Sequence, residues 1–346
     1  MNVDYIIVGS GLAGIAFCET LLKHGKSFVV FDDGSQQSSS VAGGLYNPVI
    51  LNRFTMAWKA NEQLELALPM YASIEQKLNL KLIHKQAIYR LFTSIEEQNN
   101  WFQACDDPKL SEFLSSRLVQ TKFGHVQSSF GFGEVLHCGR IDTGLLSVAY
   151  KAYLKQSGQL IEASFEYDQL KIDAHSVSYK SLKARQIVFA EGFGLQHNPF
   201  FKDLPLNGTK GELVTIHAPD LKIDFVLKSS VFIIPLGDDL YRIGSTYNWT
   251  DKSNEPTEKG REELLWKLDK IIDCKYTVQK HLAGIRPTVK DRRPLVGRHH
   301  NYNHIYVLNG LGTRGVMIAP YVADQLFRYI EEGQALTKEI SISRFA

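Results

Sequence analysis

The chain has 346 residues, 44% of them hydrophobic and 22% charged, with 39 Lys+Arg against 37 Asp+Glu. This length predicts about two domains, and the composition excludes disorder, collagen-like structure and a disulfide scaffold. A net charge of +2 does not argue for a nucleic-acid or anionic-membrane partner.

Four scattered cysteines (Cys18, Cys105, Cys138, Cys274) contain no C-x-x-C pair. They read as reduced thiols of a cytoplasmic protein, without a redox dithiol or zinc site. The eleven histidines show no metal spacing. The adjacent His299-His300 pair reads as surface. Val3–Val8 runs straight into Gly9 with no basic stretch before it, unlike a secretory leader. No apolar window is long enough for a transmembrane helix, so no membrane partner is expected.

In chain order, Val3–Val8 is β-branched and apolar, as a strand buried on both faces should be. The turn Gly9-Ser10-Gly11-Leu12-Ala13-Gly14 follows, then apolar residues at helical spacing as far as Gly25. Ser27–Phe31 is a second buried strand, ending at Asp32 and Asp33. Residues 34–44 read as a loop. Ala57–Leu80 reads as a long amphipathic helix despite Pro69, Lys81–Thr93 as strand and Ile95–Ala104 as helix. A helix starts near Asp142. Strand-like runs occur at 159–163, 170–172, 176–179 and 186–190. Residues 211–247 alternate apolar and polar, which predicts antiparallel strands. Glu258–Ile272 and Gly315–Glu332 read as helices, with a strand at His304–Asn309.

Parallel-type βαβ units at both ends and in the middle, with antiparallel strands between, predict an α/β (α+β overall) chain. A Rossmann-like nucleotide-binding domain (1–80, 140–200, 281–346) would be interrupted by an antiparallel-sheet substrate domain (81–139, 201–280).

Three segments carry chemistry. Gly9-x-Gly11-x-x-Gly14 follows a strand, opens a helix, and precedes Asp32 by 18 residues from Gly14. This spacing suits a dinucleotide: the glycines let backbone approach a pyrophosphate, the helix N-terminus offers free N–H groups, and Asp32 accepts from ribose hydroxyls. Asp33 competes for that role. The second segment, Ser38–Pro48 (SSSVAGGLYNP), is a small-residue loop that lets something flat approach; it also reads as a plain surface loop. The third joins Ala283–Gly297 to Asn309–Pro320, where Gly312–Gly315 opens the last helix. That second helix N-terminus suits a partial negative charge.

Together these segments resemble the D-amino-acid oxidase/glycine oxidase (DAO) family of FAD-dependent oxidoreductases. The last two, with Gly244–Tyr247, are most similar to the oxidase domain of the bifunctional tRNA-modifying enzymes acting on carboxymethylaminomethyl-uridine; the methyltransferase half is absent here. The resemblance implies non-covalent FAD, held at its ADP half by Gly9, Gly11, Leu12, Ala13, Gly14 and Asp32 or Asp33. Ser39 and Ala42, Gly43, Gly44 and Leu45 would run past the flavin ring. Glu166, give or take about one residue, would make a backbone contact to adenine. Ala190 and Gly192 would follow the strand at 186–189, with Glu191 between them unexplained. Gly312, Thr313, Arg314, Gly315, Val316 and Met317 would line the flavin pyrimidine.

The resemblance also makes Arg286 the anchor of a substrate carboxylate. A guanidinium grips a carboxylate with two parallel hydrogen bonds; a structural salt bridge is the alternative. Phe232, Tyr247 and Tyr46 are candidate pocket residues, with core packing as the alternative for each. Phe232 departs from family members that carry tyrosine there. The basic run Lys290, Arg292, Arg293, Arg298 reads as a solvated loop or as a contact to RNA. The implied activity is oxidation of a C–N bond next to a carboxylate, by hydride transfer to flavin N5. The substrate would be a small amine or amino acid. A modified tRNA uridine is the alternative, one that net charge does not favour, and an FAD-bound protein without turnover is a third.

Overall fold

Asn2–Val8 is the hub of an eight-stranded sheet because its side chains are apolar on both faces. Tyr5 and Ile7 pack beneath the helices Leu12–Lys23 and Gly315–Glu331, while Val3, Ile6 and Val8 join a second core on the opposite face. The computed structural model describes residues 1–345. In this sheet Leu160–Ile161, Phe28–Phe31, Asn2–Val8 and Leu182–Phe189 run parallel in that order. Leu182–Phe189 is shared: its start pairs antiparallel with Val177–Tyr179, and its end pairs parallel with Ile305–Asn309.

The second sheet has seven strands in the order Thr277–Arg286, Thr209–His217, Leu240–Gly244, Phe232–Gly237, Val226–Lys228, Ile88–Leu91 and Phe132–Val135. All neighbours are antiparallel except Val226–Lys228 against Ile88–Leu91. A small sheet of Leu45–Tyr46, Gly139–Ile141 and Ile83–Lys85 lies near the loop at 42–44.

Most elements follow the sequence pattern, and the differences have physical reasons. The stretch 81–93 is two strands, Ile83–Lys85 and Ile88–Leu91, which serve different sheets. The loop at 34–44 contains a helical turn, Ser38–Val41, that buries Val41. Pro69 lies within the helix Ala60–Leu78. The helix starting at Glu258 ends at Leu268, because its last apolar side chains dock there and Asp269 caps it. His299 is buried rather than at the surface, stacked on His300 with ring centres 4.4 Å apart. All four cysteines are free thiols. No helix among the described residues is long and apolar enough to cross a membrane, and no cluster there has metal-ligand character.

Candidate functional site

The glycine turn folds as its spacing predicts. Gly9 has φ +103°, and a Cβ there would lie 2.5 Å from the Ala190 carbonyl oxygen, so only glycine lets the turn lie on that strand end. A Cβ at Gly14 would meet the Gly9 carbonyl oxygen at 2.0 Å, which is why the helix can pack this close. Asp32 accepts from Ser10 N and Oγ (both 2.7 Å), Gly34 N (2.9 Å) and Lys151 Nζ (2.6 Å). Burial pushes its pKa up, but the Lys151 and Ser10 bonds outweigh it and hold the carboxyl below its ordinary value. Asp33 accepts from Ser35 N and Ser164 Oγ.

A single cleft runs from this turn to the second sheet. Gly9, Gly11, Leu12, Ala13, Asp32, Asp33, Ser39, Ala42 to Leu45, Ala190, Gly192, Gly312 to Val316, Phe232, Tyr247 and Arg286 all line it. Four of the residues singled out from the sequence do not. Gly14 packs helix on strand. Met317, two residues into its helix, is wholly buried in the core. Tyr46 is buried, its hydroxyl directed at Gly139, where a Cβ would lie 2.4 Å from it. Glu166 donates its N–H to Tyr179 Oη (3.1 Å) and pairs with Lys180 at the surface; Ser164, Phe165 and Tyr167 line the cleft beside it instead.

The loop at 42–45 is pinned from two sides. The Ala42 carbonyl accepts from Thr143 Oγ1 (3.1 Å) and Arg242 Nη1 (3.2 Å), and Gly44, at φ +70°, has its Cα against the Ile141 carbonyl. Opposite, Arg314 donates to the Asn47 and Val49 carbonyls and precedes the helix Gly315–Glu331. Two helix N-termini therefore face one cleft, each with N–H groups free for negative charge.

At the far end the strand Thr277–Arg286 brings Arg286 back to the cleft. Gly211 lies beneath its guanidinium: a Cβ there would sit 1.9 Å from Nη2. The guanidinium stacks on Tyr247, 4.6 Å from the ring centre, and its one hydrogen bond is a long 3.4 Å contact to the Thr246 carbonyl. No carboxylate pairs with it among the described residues, so the structural salt bridge is not what this arginine makes. In the nearby basic run Arg293 reaches Glu339 at 3.9 Å, while Asp291 within the run is taken by Arg344 (2.8 Å) from the chain's end.

Sequence reasoning missed Tyr167, Lys228 and Gly211, and noted Glu191 without a role. Glu191 accepts from Tyr167 Oη (2.5 Å) and Asn198 Nδ2 (2.8 Å) at the cleft wall. Burial, the largest influence, raises its carboxyl to about 7.

Fold and cleft together define a dinucleotide-binding α/β protein with a second sheet closing over the far end of its cofactor groove. A family model described as FAD dependent oxidoreductase (DAO) matches residues 4–328, and the chain belongs to that family. Among curated proteins it is 23% identical to the tRNA 5-methylaminomethyl-2-thiouridine biosynthesis bifunctional protein MnmC of Marinobacter nauticus, over 93% of this chain and 54% of that protein. The chain thus spans about half of that relative. It is 22% identical to the glycine oxidase of Bacillus subtilis, over 92% of this chain and 90% of the relative. The glycine oxidase structure from Geobacillus kaustophilus superposes with a TM-score of 0.82 at 18% identity, covering 97% and 96% of the two chains.

FAD fits this cleft on the residues present. The backbone N–H groups of Gly11 and Ala13 suit the pyrophosphate, with the Leu12 N–H between them donated to Ser39 Oγ (3.0 Å), and the carboxylates of Asp32 and Asp33 suit the ribose. The small-residue strip Ala42-Gly43-Gly44 and the N-terminus of Gly315–Glu331 suit a flat ring system with a polar edge.

Proposed function

We propose that this flavoenzyme oxidises the C–N bond of an amine or amino acid that carries a carboxylate. The observation that carries this reading is Arg286: a half-buried guanidinium, seated over Gly211 and against Tyr247 in the cleft that suits FAD, with no acidic partner among the described residues. Such a group is desolvated without a counter-charge, a cost that an incoming carboxylate removes.

Bound FAD supplies the two-electron acceptor. Everything else in the reading is done by this chain. Arg286 fixes the carboxylate at two points, so the adjacent carbon and nitrogen take one orientation. Tyr247 backs the guanidinium. Phe232, held between Gly43 and Gly244, walls the cleft with an apolar face that limits water. A Cβ at Gly43 would meet Phe232 Cζ at 3.3 Å, and one at Gly244 would meet it at 2.7 Å, so the ring has little freedom. The arginine end and the glycine-turn end serve as substrate and cofactor ends respectively.

The test is anaerobic reduction of the bound flavin by a panel of amines and amino acids, with and without a carboxylate. Bleaching confined to carboxylated amines is the expected result; bleaching by none, or equally by amines lacking the acid, rejects the reading. A second reading, action on the carboxymethylated amine of a tRNA uridine, is favoured by the similarity to the bifunctional tRNA-modifying relative along 93% of this chain. Salt-dependent tRNA binding separates the two.

A further inference from the structure

The register of the seven-stranded sheet sets Lys228 directly across from Phe232, which in turn faces Gly244 on the next strand. Lys228 Nζ lies 5.1 Å from the centre of the Phe232 ring, and both residues line the cleft with Arg286 and Arg314. Three cations thus converge on the substrate end. Lys228 makes no ion pair or side-chain hydrogen bond among the described residues. The charged groups near enough to act on it are all positive: Arg90 from Ile88–Leu91, Arg314 before Gly315–Glu331, and Arg286 at the end of Thr277–Arg286.

Arg90 is neutralised by Glu97. Arg314 is committed to the Asn47 and Val49 carbonyls. Arg286 is satisfied by one carboxylate, which leaves Lys228 over. An ammonium held at the wall of an apolar-lined cleft beside like charges is unfavourable until a negative group joins it.

We propose that Lys228 is a second acid-binding point, and that the amine oxidised carries two acidic groups, one held by Arg286 and the other by Lys228. The substrate class is then an amino or imino dicarboxylate rather than a simple amino acid. This rests on the reading that Arg286 holds a carboxylate. Lysine, unlike arginine, offers a point charge without a planar demand, so this position selects for a second negative charge more than for its geometry. Burial first, then Arg90, Arg314 and Arg286, lowers the lysine to about 8. The preference for the second acid is therefore full below that pH and fades above it.

The experiment is calorimetric binding of acetate, malonate, succinate and glutarate to the FAD-loaded enzyme, in buffer free of phosphate and sulfate, at pH 7 and 9.5. Wild type should bind at least one diacid about tenfold or more tighter than acetate at pH 7, with the advantage shrinking at pH 9.5. Lys228→Met should lose the diacid advantage while binding acetate within about twofold of wild type. Lys228→Arg should keep the advantage at both pH values. FAD content and thermal midpoint, measured on each variant, identify any that misfolds, and Lys228→Arg then carries the comparison. Diacids no tighter than acetate in wild type, or equal weakening of acetate and diacid by Lys228→Met, overturns the second acid point while leaving Arg286 intact. No binding of any acid, or acetate binding indifferent to Arg286→Ala, overturns the underlying reading as well. Binding of an anticodon-stem RNA that depends on Lys228, with diacids indifferent to it, reassigns the lysine to an RNA phosphate and rejects the small-diacid class.

Discussion

Arg286 and Glu191 show how much one side chain's surroundings decide. Replacing Arg286 by Ala should leave the flavin spectrum and FAD content unchanged, because the guanidinium touches Tyr247 and Thr246 rather than the glycine turn. Reduction by the true substrate should weaken by about 2–5 kcal/mol, the usual effect of breaking a desolvated charge pair. Lysine should rescue poorly, since it lacks the two-point grip. Lost FAD with unchanged kinetics would instead make the arginine structural. Glu191 gives a pH signature. Its folded value of about 7 lies above the ordinary 4.5, so the folded state holds this proton more tightly. Stability from this group is full below about 4.5 and declines as pH rises through about 7. Glu191→Gln should flatten that decline; urea unfolding of the FAD-loaded protein at pH 5 and pH 8 checks it, and parallel losses in both proteins would contradict it.

At the scale of elements, a missing side chain positions the anchor. Gly211 pairs with Gly284 on the neighbouring strand, and the space above Gly211 holds the guanidinium. Gly211→Ala should therefore displace Arg286 and mimic its loss in substrate reduction, with FAD content preserved. A normal rate in that variant would show that the guanidinium sits elsewhere when substrate binds. The first strand, the glycine turn, Asp32 and the last helix were legible in the sequence because their signals are local: period, turn chemistry and a fixed spacing. Gly211 and Lys228 were not legible. Their meaning depends on register between strands distant in sequence, 211 against 284 and 228 against 90, which no local pattern encodes; the 228–232 hairpin alone does not place the lysine at the cleft. Glu166 lies one position off the cleft lining, within the tolerance its spacing allowed: its own N–H is taken by Tyr179 while its neighbours face the cleft. Tyr46 misled because a tyrosine in a small-residue loop turned inward against Gly139.

Across the whole molecule, a buried ionic clamp ties the second sheet to the segment that follows Tyr247. Lys210 is wholly buried and donates to Asp251 (2.5 Å), Ser253 (3.2 Å) and the Glu255 carbonyl (2.5 Å). The adjacent Glu212 accepts from Thr257 N and Oγ1. Lys210→Met should destabilise the protein towards the lower end of about 3–5 kcal/mol, since Asp251 is partly exposed and can be rehydrated. It should also raise KM more than it lowers kcat, because the loosened segment carries the ring behind Arg286. A thermal melt and steady-state kinetics on that variant check both effects; an unchanged melt refutes the clamp.

The shared strand Leu182–Phe189 also governs how the chain must be made. Its partner on one side is the start of the chain, and on the other a strand that emerges over a hundred residues later. During synthesis the first half-sheet waits with an open, apolar parallel edge, a template for pairing with another chain. Contacts of such long sequence separation also slow folding. A chain ending before Ile305 should therefore be recovered mainly as aggregate. The full chain should refold over seconds or longer, best at low concentration, and rapid concentration-independent refolding of the shortened chain would show that the last strand is dispensable.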